Sequence, residues 1–438
     1  MHLRRHLLPV LLAAVLPAIL PAGARAAAAP YRPGVVVLRY AGERASGGAG
    51  GIPVSRVVKL PAGESVAAGV RRLRARPGVL SATPSYMAHV SGYVPSDPGD
   101  GAPGGWEALQ WNFLPTTGVD APDAWQHLID AGRPGGKGVV VAVVDTGIAY
   151  SSHAGFARSP DFSSIRFVHG HDFVDHDAFP NDENGHGTHV AGTIAEGTNN
   201  GVGLTGLAYG VKLMPIRVLD RHGWGDTVPI AKGIRWAVDH GAQLINMSFE
   251  FPTGITRGQI PDIMDALAYA RSHDVLVVGA AGNAEQPAVA YPARAGDVLS
   301  VGATTEHGCE AKYSNEGRDL DLVAPGGGKD APLRHDPNCH PKATGRGIYQ
   351  MTFLKTASPL RFGLPGGYVG TSMAAPHVTA AAALVIASGL LGPSPAPDAI
   401  ERRLELTARD LGAPGWDPHY GWGLLDAGKA TDPAVPVT

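Results

Sequence analysis

One serine, one histidine, one aspartate and one asparagine lie in local sequences where their side chains could carry out acyl transfer. Ser372 lies on a turn of small residues directly before the Ala-rich run 378–391, which predicts a buried helix with Pro376 in its first turn. A serine at a helix start meets unpaired backbone N–H groups and the positive end of the helix dipole. These groups would stabilise an oxyanion beside the hydroxyl, so Ser372 is a candidate nucleophile. The alternative is a serine that only caps its helix.

Three further side chains complete this set. Asp145 follows the β-branched run 139–144, which predicts a strand buried on both faces. Functional groups of open α/β sheets gather at strand carboxyl ends, although Asp145 could also be a turn aspartate. His186 lies among glycines at a predicted helix start, and histidine can take and return a proton near neutral pH. Asn283 follows another buried strand, where its amide could donate to an oxyanion or could simply form a turn.

A metal site at the histidine pair is the competing interpretation of this segment. His186 and His189 have the spacing of a His-x-x-His pair. The glutamate of the zinc-protease helix motif is missing, and no third ligand lies nearby in the sequence. His189 is therefore interpreted as structural.

The elements that must position these side chains follow from the apolar runs. From residue 106 onward, predicted strands alternate with helical patterns such as 227–240. The alternation predicts an α/β fold, a doubly wound and mostly parallel central sheet with helices on both faces. Predicted strands cover 139–144, 211–219, 244–248, 275–279, 298–302 and 320–323.

The first hundred residues predict two separate parts. Residues 1–26 combine a basic start, an apolar stretch over 7–20 and an A-x-A cleavage site, as in a signal peptide. A membrane anchor is the alternative, but the apolar stretch is short and is interrupted by prolines. Residues 27–100 predict a small α+β domain with strands at 35–40, 57–60 and 79–86, a helix at 64–76, and an exposed linker over 92–105. The main domain is expected to cover 101–430, followed by a short tail, 431–438.

Bulk properties exclude some classes of function. The 438 residues carry 36 basic and 39 acidic side chains, a formal net charge of -3, which gives no electrostatic case for nucleic acid. After the signal peptide, we expect no segment apolar enough to span a membrane. The only two cysteines, Cys309 and Cys339, predict a disulfide in an exported protein, although two free thiols are the alternative.

Four stretches, in this order along the chain, resemble the subtilisin-like serine proteases, the subtilase family. They are Val-Asp-Thr-Gly at Asp145, His-Gly-Thr-His-Val-Ala-Gly-Thr at His186, Ala-Gly-Asn at Asn283 and Gly-Thr-Ser-Met-Ala-Ala-Pro-His at Ser372. The order Asp, His, Ser is that of subtilisin. The resemblance covers about 110–429, and residues 30–90 resemble the family's prodomain, an intramolecular chaperone and inhibitor.

The resemblance implies a role for each residue. Ser372 would attack the peptide carbonyl, His186 would take its proton and pass it to the leaving amine, and Asp145 would fix the histidine tautomer. Asn283 and the Ser372 backbone N–H would hold the oxyanion. Relatives that work in acid carry glutamate for the histidine and aspartate for the asparagine. Neither change is present here, so neutral to alkaline activity is expected.

The same resemblance predicts the substrate-binding edge at Ser248, Phe249 and Glu250. Family members typically have Ser-Leu-Gly there, so Glu250 departs from the pattern. A carboxylate beside the cleft could favour basic substrate residues. It could equally turn away and cap the segment 252–257.

Calcium is the one cofactor that the resemblance implies; no organic cofactor is expected. The family's calcium loop resembles 198–204, and oxygen-only coordination suits this ion. The implied ligands are Gln110, Asp161, Thr198, Asn200, Val202 and Leu204. A second acidic cluster of Asp175, Asp177 and Asp182 could hold another ion or could simply be a solvated loop.

These observations together predict a secreted, autoprocessed serine endopeptidase, extracellular or periplasmic and monomeric, whose partners are protein or peptide substrates and its own prodomain. Two alternatives stay open: a catalytically silent binding protein with the same fold, and a processing protease of narrow specificity. The long Gly/Pro-rich insertion 325–367 lies just before Ser372 and could border the cleft.

Overall fold

The computed structural model describes residues 31–40, 53–61, 63–86, 93–99, 101, 104–153, 155–356 and 358–437. The predicted signal peptide, 1–26, lies outside the described residues. The chain divides into two compact units, Met1–Met87 and Ala88–Thr438.

The first unit is a small α+β structure, as predicted. Strands β1 (Tyr31–Tyr40), β2 (Val54–Lys59) and β3 (Val79–Tyr86) form an antiparallel sheet in the order β2-β1-β3. Helix α1 (Val66–Arg74) begins after Ser65, whose hydroxyl accepts the N–H of Ala68. The core of this unit contains Val36, Leu38, Val66, Leu73 and Ala82.

The second unit contains the remaining strands and helices. The strands are β4 (Val140–Asp145), β5 (Arg166–Phe167), β6 (His171–Asp172), β7 (Lys212–Arg217), β8 (Leu244–Met247), β9 (Leu276–Ala280), β10 (Val298–Thr304), β11 (Leu322–Pro325), β12 (Thr352–Phe353) and β13 (Phe362–Gly363). The α-helices are α2 (Trp106–Leu109), α3 (Ala121–Asp130), α4 (His186–Ala195), α5 (Thr227–Asp239), α6 (Pro261–Ser272), α7 (Thr371–Ser388), α8 (Pro397–Thr407) and α9 (Ala427–Thr431).

The central sheet has eight strands in the order β11-β10-β9-β8-β4-β7-β5, with β6 also pairing β7, and every pairing is parallel. The six predicted strands and the helix predicted over 227–240 are confirmed, with small differences at their ends. After β4 the chain places β7 on one side of that strand and β8 on the other. This reversal of strand order opens a crevice at the carboxyl end of β4, where Asp145 lies.

Each face of the sheet has its own hydrophobic core. Val141 and Val143 of β4 belong to the core that contains α3, α4 and α7, whereas Ala142 and Val144 belong to the core that contains α5 and α6. Alternate residues of a strand point to opposite faces, so a strand covered on both faces is apolar throughout. The doubly wound prediction is therefore confirmed.

Two sequence-based expectations are wrong. Residues 93–99 are not an exposed linker: Asp97 is fully buried and accepts the N–H groups of Asn199 and Asn200 at 2.9 and 3.1 Å. One helix among the described residues, Thr371–Ser388, is long and apolar enough to span a membrane, with a mean hydropathy of 1.3, but 89% of it is buried inside the fold. Its apolar character is accounted for by this packing.

Candidate active site

Asp145 and His186 meet at the carboxyl end of β4. His186 Nδ1 lies 2.8 Å from Asp145 Oδ1, which also accepts the backbone N–H of Thr146 at 2.7 Å. Asp145 is fully buried, whereas 26% of the His186 side chain is exposed. The aspartate therefore fixes which ring nitrogen of His186 faces inward and leaves the other nitrogen for the cleft.

Charge and burial act in opposite directions on His186. Burial alone lowers the pKa of His186, but the charge and hydrogen bond of Asp145, with a further contribution from Asp182, outweigh it and raise the pKa above its usual value. The imidazolium that forms when His186 takes a proton is thus stabilised by two carboxylates.

Asp182 orders the loop that leads into His186. Its Oδ1 accepts from Thr146 Oγ1 and from the N–H groups of Asn184 and Gly185, and its Oδ2 accepts from Thr188 N and Oγ1, at 2.6–3.0 Å. These bonds place the residues before and after His186 around one buried carboxylate.

The acidic cluster considered for a second ion is not gathered into one site. Asp182 is buried against the His186 loop, Asp175 pairs with Arg217, and Asp177 accepts the N–H of Phe179. No group of three metal-ligating side chains includes any of these aspartates among the described residues. The interpretation as a second ion site therefore has no support in the arrangement.

Ser372 lies inside the first turn of α7, because the helix begins at Thr371, earlier than predicted. Pro376 consequently lies within the helix and has no N–H to donate to the Ser372 carbonyl four residues earlier. That carbonyl instead accepts the hydroxyl of Ser248 at 2.8 Å. The Ser372 hydroxyl forms no hydrogen bond within the described part of the chain, which leaves it available in the cleft.

Asn283 is held with its amide oxygen turned away from the cleft. The Thr371 N–H and hydroxyl donate to Asn283 Oδ1 at 2.8 and 3.1 Å, and the Thr371 hydroxyl accepts the Gly282 N–H at 3.1 Å. Because the oxygen is occupied, the NH₂ group is the end that can donate: it hydrogen-bonds to Glu250, and its second N–H remains for a ligand.

A cleft of about 460 Å³ brings the predicted residues together. His186, Asn283 and Ser372 line it, together with the predicted substrate-binding residues Ser248, Phe249 and Glu250. Asp145 lies behind His186. The cleft thus gathers a base, a hydroxyl and an amide, with a carboxylate behind the base, which are the kinds of group that nucleophilic acyl transfer uses.

Comparison with known proteins identifies the family. The model of the subtilase family, peptidase S8, matches residues 136–423. The chain belongs to the subtilase family. This subtilase is 36% identical over 296 residues to a thermostable alkaline protease of Halalkalibacterium halodurans, and the match covers 68% of each chain. It is 32% identical over 312 residues to thermitase of Thermoactinomyces vulgaris, and that match covers 71% of this chain and 93% of thermitase. It is a subtilisin-like serine endopeptidase.

Solved structures agree with this assignment. A protease of Pseudoalteromonas arctica matches with a TM-score of 0.61 and 31% sequence identity, over 77% of this subtilase and 99% of that chain. A cold-adapted subtilisin-like serine proteinase matches with a TM-score of 0.51 and 28% identity, over 67% of this subtilase and 89% of that chain.

The insertion 325–367 contributes to the His186 neighbourhood. Thr352 donates its hydroxyl to the carbonyl of Gly185 at 2.6 Å, and β12 and β13 form a short antiparallel hairpin. The predicted disulfide between Cys309 and Cys339 is confirmed and ties this insertion to the segment after β10. Sequence reasoning missed Thr352 and Thr371, because their partners lie 167 and 88 residues away.

The donors of the predicted calcium loop fit a hard cation. Asp161 is fully buried, with no cationic side chain paired to it among the described residues, and burial raises the pKa of Asp161 to about 8. No described residue donates a hydrogen bond to the carbonyls of Thr198, Val202 and Leu204, and Leu204 is fully buried. Calcium takes carboxylate and carbonyl oxygens of this kind.

The side-chain amides of this loop region are otherwise engaged. Asn200 donates its Nδ2 to Asp161 Oδ1 at 2.7 Å and accepts the Val202 N–H on its oxygen. Gln110 bonds to the Thr205 backbone through both ends of its amide. Asp161 accepts one hydrogen bond on each oxygen, from Asn200 and from the Leu204 N–H, so its carboxylate and the three carbonyls retain the capacity to bind a cation.

Proposed function

We propose that this subtilase hydrolyses peptide bonds through an acyl-enzyme on Ser372, with Asp145, His186 and Ser372 as its triad. The observation that supports this proposal best is the 2.8 Å contact of His186 with buried Asp145 in a cleft that Ser372 and Asn283 also line. His186 takes the Ser372 proton as the hydroxyl oxygen attacks the carbonyl carbon. The Asn283 NH₂ group and the Ser372 backbone N–H donate to the resulting oxyanion.

The acyl-enzyme forms when His186 returns that proton to the leaving amine and the C–N bond breaks. A water molecule, deprotonated by His186, then attacks the ester carbonyl. The C–O bond to Ser372 breaks, the Ser372 oxygen takes the proton back from His186, and the product with the new carboxyl group leaves. His186 must be neutral to act as the base, and its pKa is raised. Activity is therefore expected to rise as pH increases through the neutral range, and a rate maximum below about pH 5 would contradict the mechanism.

Covalent labelling tests the nucleophile. A fluorophosphonate probe should add to the wild-type protein, and peptide mapping should place the adduct on Ser372. The Ser372→Ala variant, with the same fold, is the control and should remain unlabelled. A folded wild-type protein that takes up no probe would support the silent binding protein instead.

The N-terminal unit is proposed to be an inhibitory prodomain that the enzyme removes from itself, after export directed by residues 1–26. Tyr93 donates its N–H to Gln126 at 3.0 Å and Asp97 is buried against the loop 198–204, so we expect the mature chain to retain residues 93–99. Mass spectrometry over time should show the wild type losing its N-terminal unit while Ser372→Ala stays intact. If both remain intact, self-processing is wrong.

Calcium is proposed as a structural ion. Asp161 and the carbonyls of Thr198, Val202 and Leu204 would hold it, and the ion would neutralise the buried carboxylate and tie the loop to Asp161. Thermal unfolding of the Ser372→Ala protein should shift to lower temperature when EDTA replaces calcium. Asp161→Asn should remove most of this difference, whereas Asp262→Asn, on the exposed start of α6, should retain it.

A further inference from the structure

The Glu250 side chain extends from the segment 248–250 to a second segment of the cleft, 282–283. Its two carboxylate oxygens accept the backbone N–H of Asn283 at 3.1 and 3.0 Å. A Cβ added to Gly282 would collide with Glu250 Oε2, so the carboxylate lies directly against the backbone of 282–283. Two residues before Glu250, Ser248 bonds to the carbonyl of Ser372. Glu250 therefore joins two walls of the cleft beside the candidate nucleophile.

The carboxylate of Glu250 has no cationic partner. Among the described residues that line the cleft, it is the only carboxylate, and none is lysine or arginine. No ion pair within 4.0 Å involves Glu250 in the described part of the chain, and its hydrogen bonds go to Asn283 rather than to 252–257. Glu250 is half-buried, and burial raises its pKa while the bonds from Asn283 oppose that rise. A carboxylate accepts at about four sites, so capacity for a further donor remains.

The position of Glu250 indicates which substrate residue it meets. In the proposed mechanism, the carbonyl under attack is held by Asn283 and Ser372. The side chain closest to that carbonyl belongs to the same substrate residue, the one immediately before the scissile bond. Since Glu250 bonds to Asn283 itself, its carboxylate lies beside the space that this side chain enters.

We propose that Glu250 selects substrates with lysine or arginine immediately before the scissile bond. This inference rests on the proposed peptidase function. A neutral side chain would cover the carboxylate and leave a desolvated, unpaired charge, which is costly, whereas an ammonium or guanidinium would pair with it. An acidic side chain would add repulsion between like charges.

Peptides that differ only in charge at this position test the proposal. Arginine and citrulline have nearly the same shape, and only arginine is charged. The wild type should hydrolyse the arginine peptide with kcat/KM at least tenfold higher than the citrulline peptide at pH 8. A charge-assisted hydrogen bond is typically worth about 1.5–3 kcal/mol, which corresponds to roughly 10–150-fold. Glu250→Gln should reduce the ratio to near one.

Glu285→Gln is the matched control, because Glu285 is an exposed carboxylate two residues from Asn283, with its side chain 59% exposed. This variant should retain the wild-type ratio. Equal rates on both peptides in the wild type, or a preference that survives in Glu250→Gln, would overturn the proposal.

A binding measurement separates this proposal from the peptidase proposal. Calorimetric titration of Ser372→Ala with the same two peptides, after limited proteolysis has removed its N-terminal unit, reports recognition without chemistry. If no peptide is cleaved but the arginine peptide binds at least tenfold more tightly, the peptidase proposal fails and the role of Glu250 in recognition stands. If the peptides are cleaved but bind and react equally, the Glu250 proposal fails alone.

Discussion

Replacing Asp182 by asparagine should destabilise the protein and change its pH dependence, although Asp182 does not line the cleft. Oδ1 accepts two backbone N–H groups and one hydroxyl, and Oδ2 accepts one backbone N–H and one hydroxyl. An asparagine NH₂ group must replace one of these oxygens. The less costly orientation places it at Oδ2, where the Thr188 hydroxyl can rotate to accept but the Thr188 N–H cannot.

The expected loss follows from that one orphaned donor. A buried N–H left without an acceptor costs about 1–3 kcal/mol, so Asp182→Asn should lower the free energy of unfolding by about that amount. Asp182→Ala leaves all five donors without this acceptor and should cost more. Denaturant unfolding on the Ser372→Ala background measures both variants without autolysis. An Asp182→Asn protein as stable as its parent would refute the reasoning.

The charge lost in Asp182→Asn should also act on catalysis. Asp182 contributes to the raised pKa of His186, so its removal should lower that pKa. The acid limb of the kcat/KM profile should then move to lower pH, because His186 becomes neutral at lower pH. An acid limb that does not move would show that Asp182 has only a structural role. The control variant Asp262→Asn should leave both the acid limb and the free energy of unfolding unchanged.

Three further outcomes are expected. Asn283→Ala should lower kcat with little change in KM, as loss of the corresponding donor does in subtilisin by roughly 10²–10³-fold, and an unchanged kcat would rule out an oxyanion role. Replacing Cys309 and Cys339 by alanine should lower the unfolding free energy by about 3–4 kcal/mol, since the bridge closes a 30-residue separation; a denaturation midpoint equal to that of the parent would contradict this. The hydrogen bond and charge of Glu310 raise the pKa of His419 to about 9, whereas burial raises the pKa of Glu310 to about 7, so the charged pair should exist mainly between pH 7 and pH 9. Its contribution to stability should be lost as pH rises through 9, and His419→Gln should remove that loss from thermal unfolding.

The parts predictable from sequence are those set by local pattern. The β-branched run before Asp145 identified its strand, and the sheet then placed that residue at the crevice. His186, Asn283 and Ser372 likewise follow local motifs, and the structure brings them to one cleft.

Long-range pairing accounts for what the sequence did not reveal. Asp97 lies in a Pro/Gly-rich stretch that predicts exposure, but it is buried by Asn199 and Asn200, about a hundred residues further on. Asp175, Asp177 and Asp182 are acidic and close in sequence, which indicates one cluster, but the structure separates Asp182 from the other two. Whether a carboxylate faces solvent or buried N–H donors depends on tertiary packing, and the hydrophobic periodicity of the sequence does not indicate it.

Pro376 has a consequence for how this subtilase can change over generations. Any other residue at that position would bring an N–H group back to the carbonyl of Ser372, whose second lone pair could accept it beside the hydroxyl of Ser248. Conversely, a relative that lost the hydroxyl at position 248 would leave that carbonyl without its present donor. Loss of the hydroxyl at position 248 should therefore be tolerated best in lineages whose residue 376 is not proline and supplies that N–H.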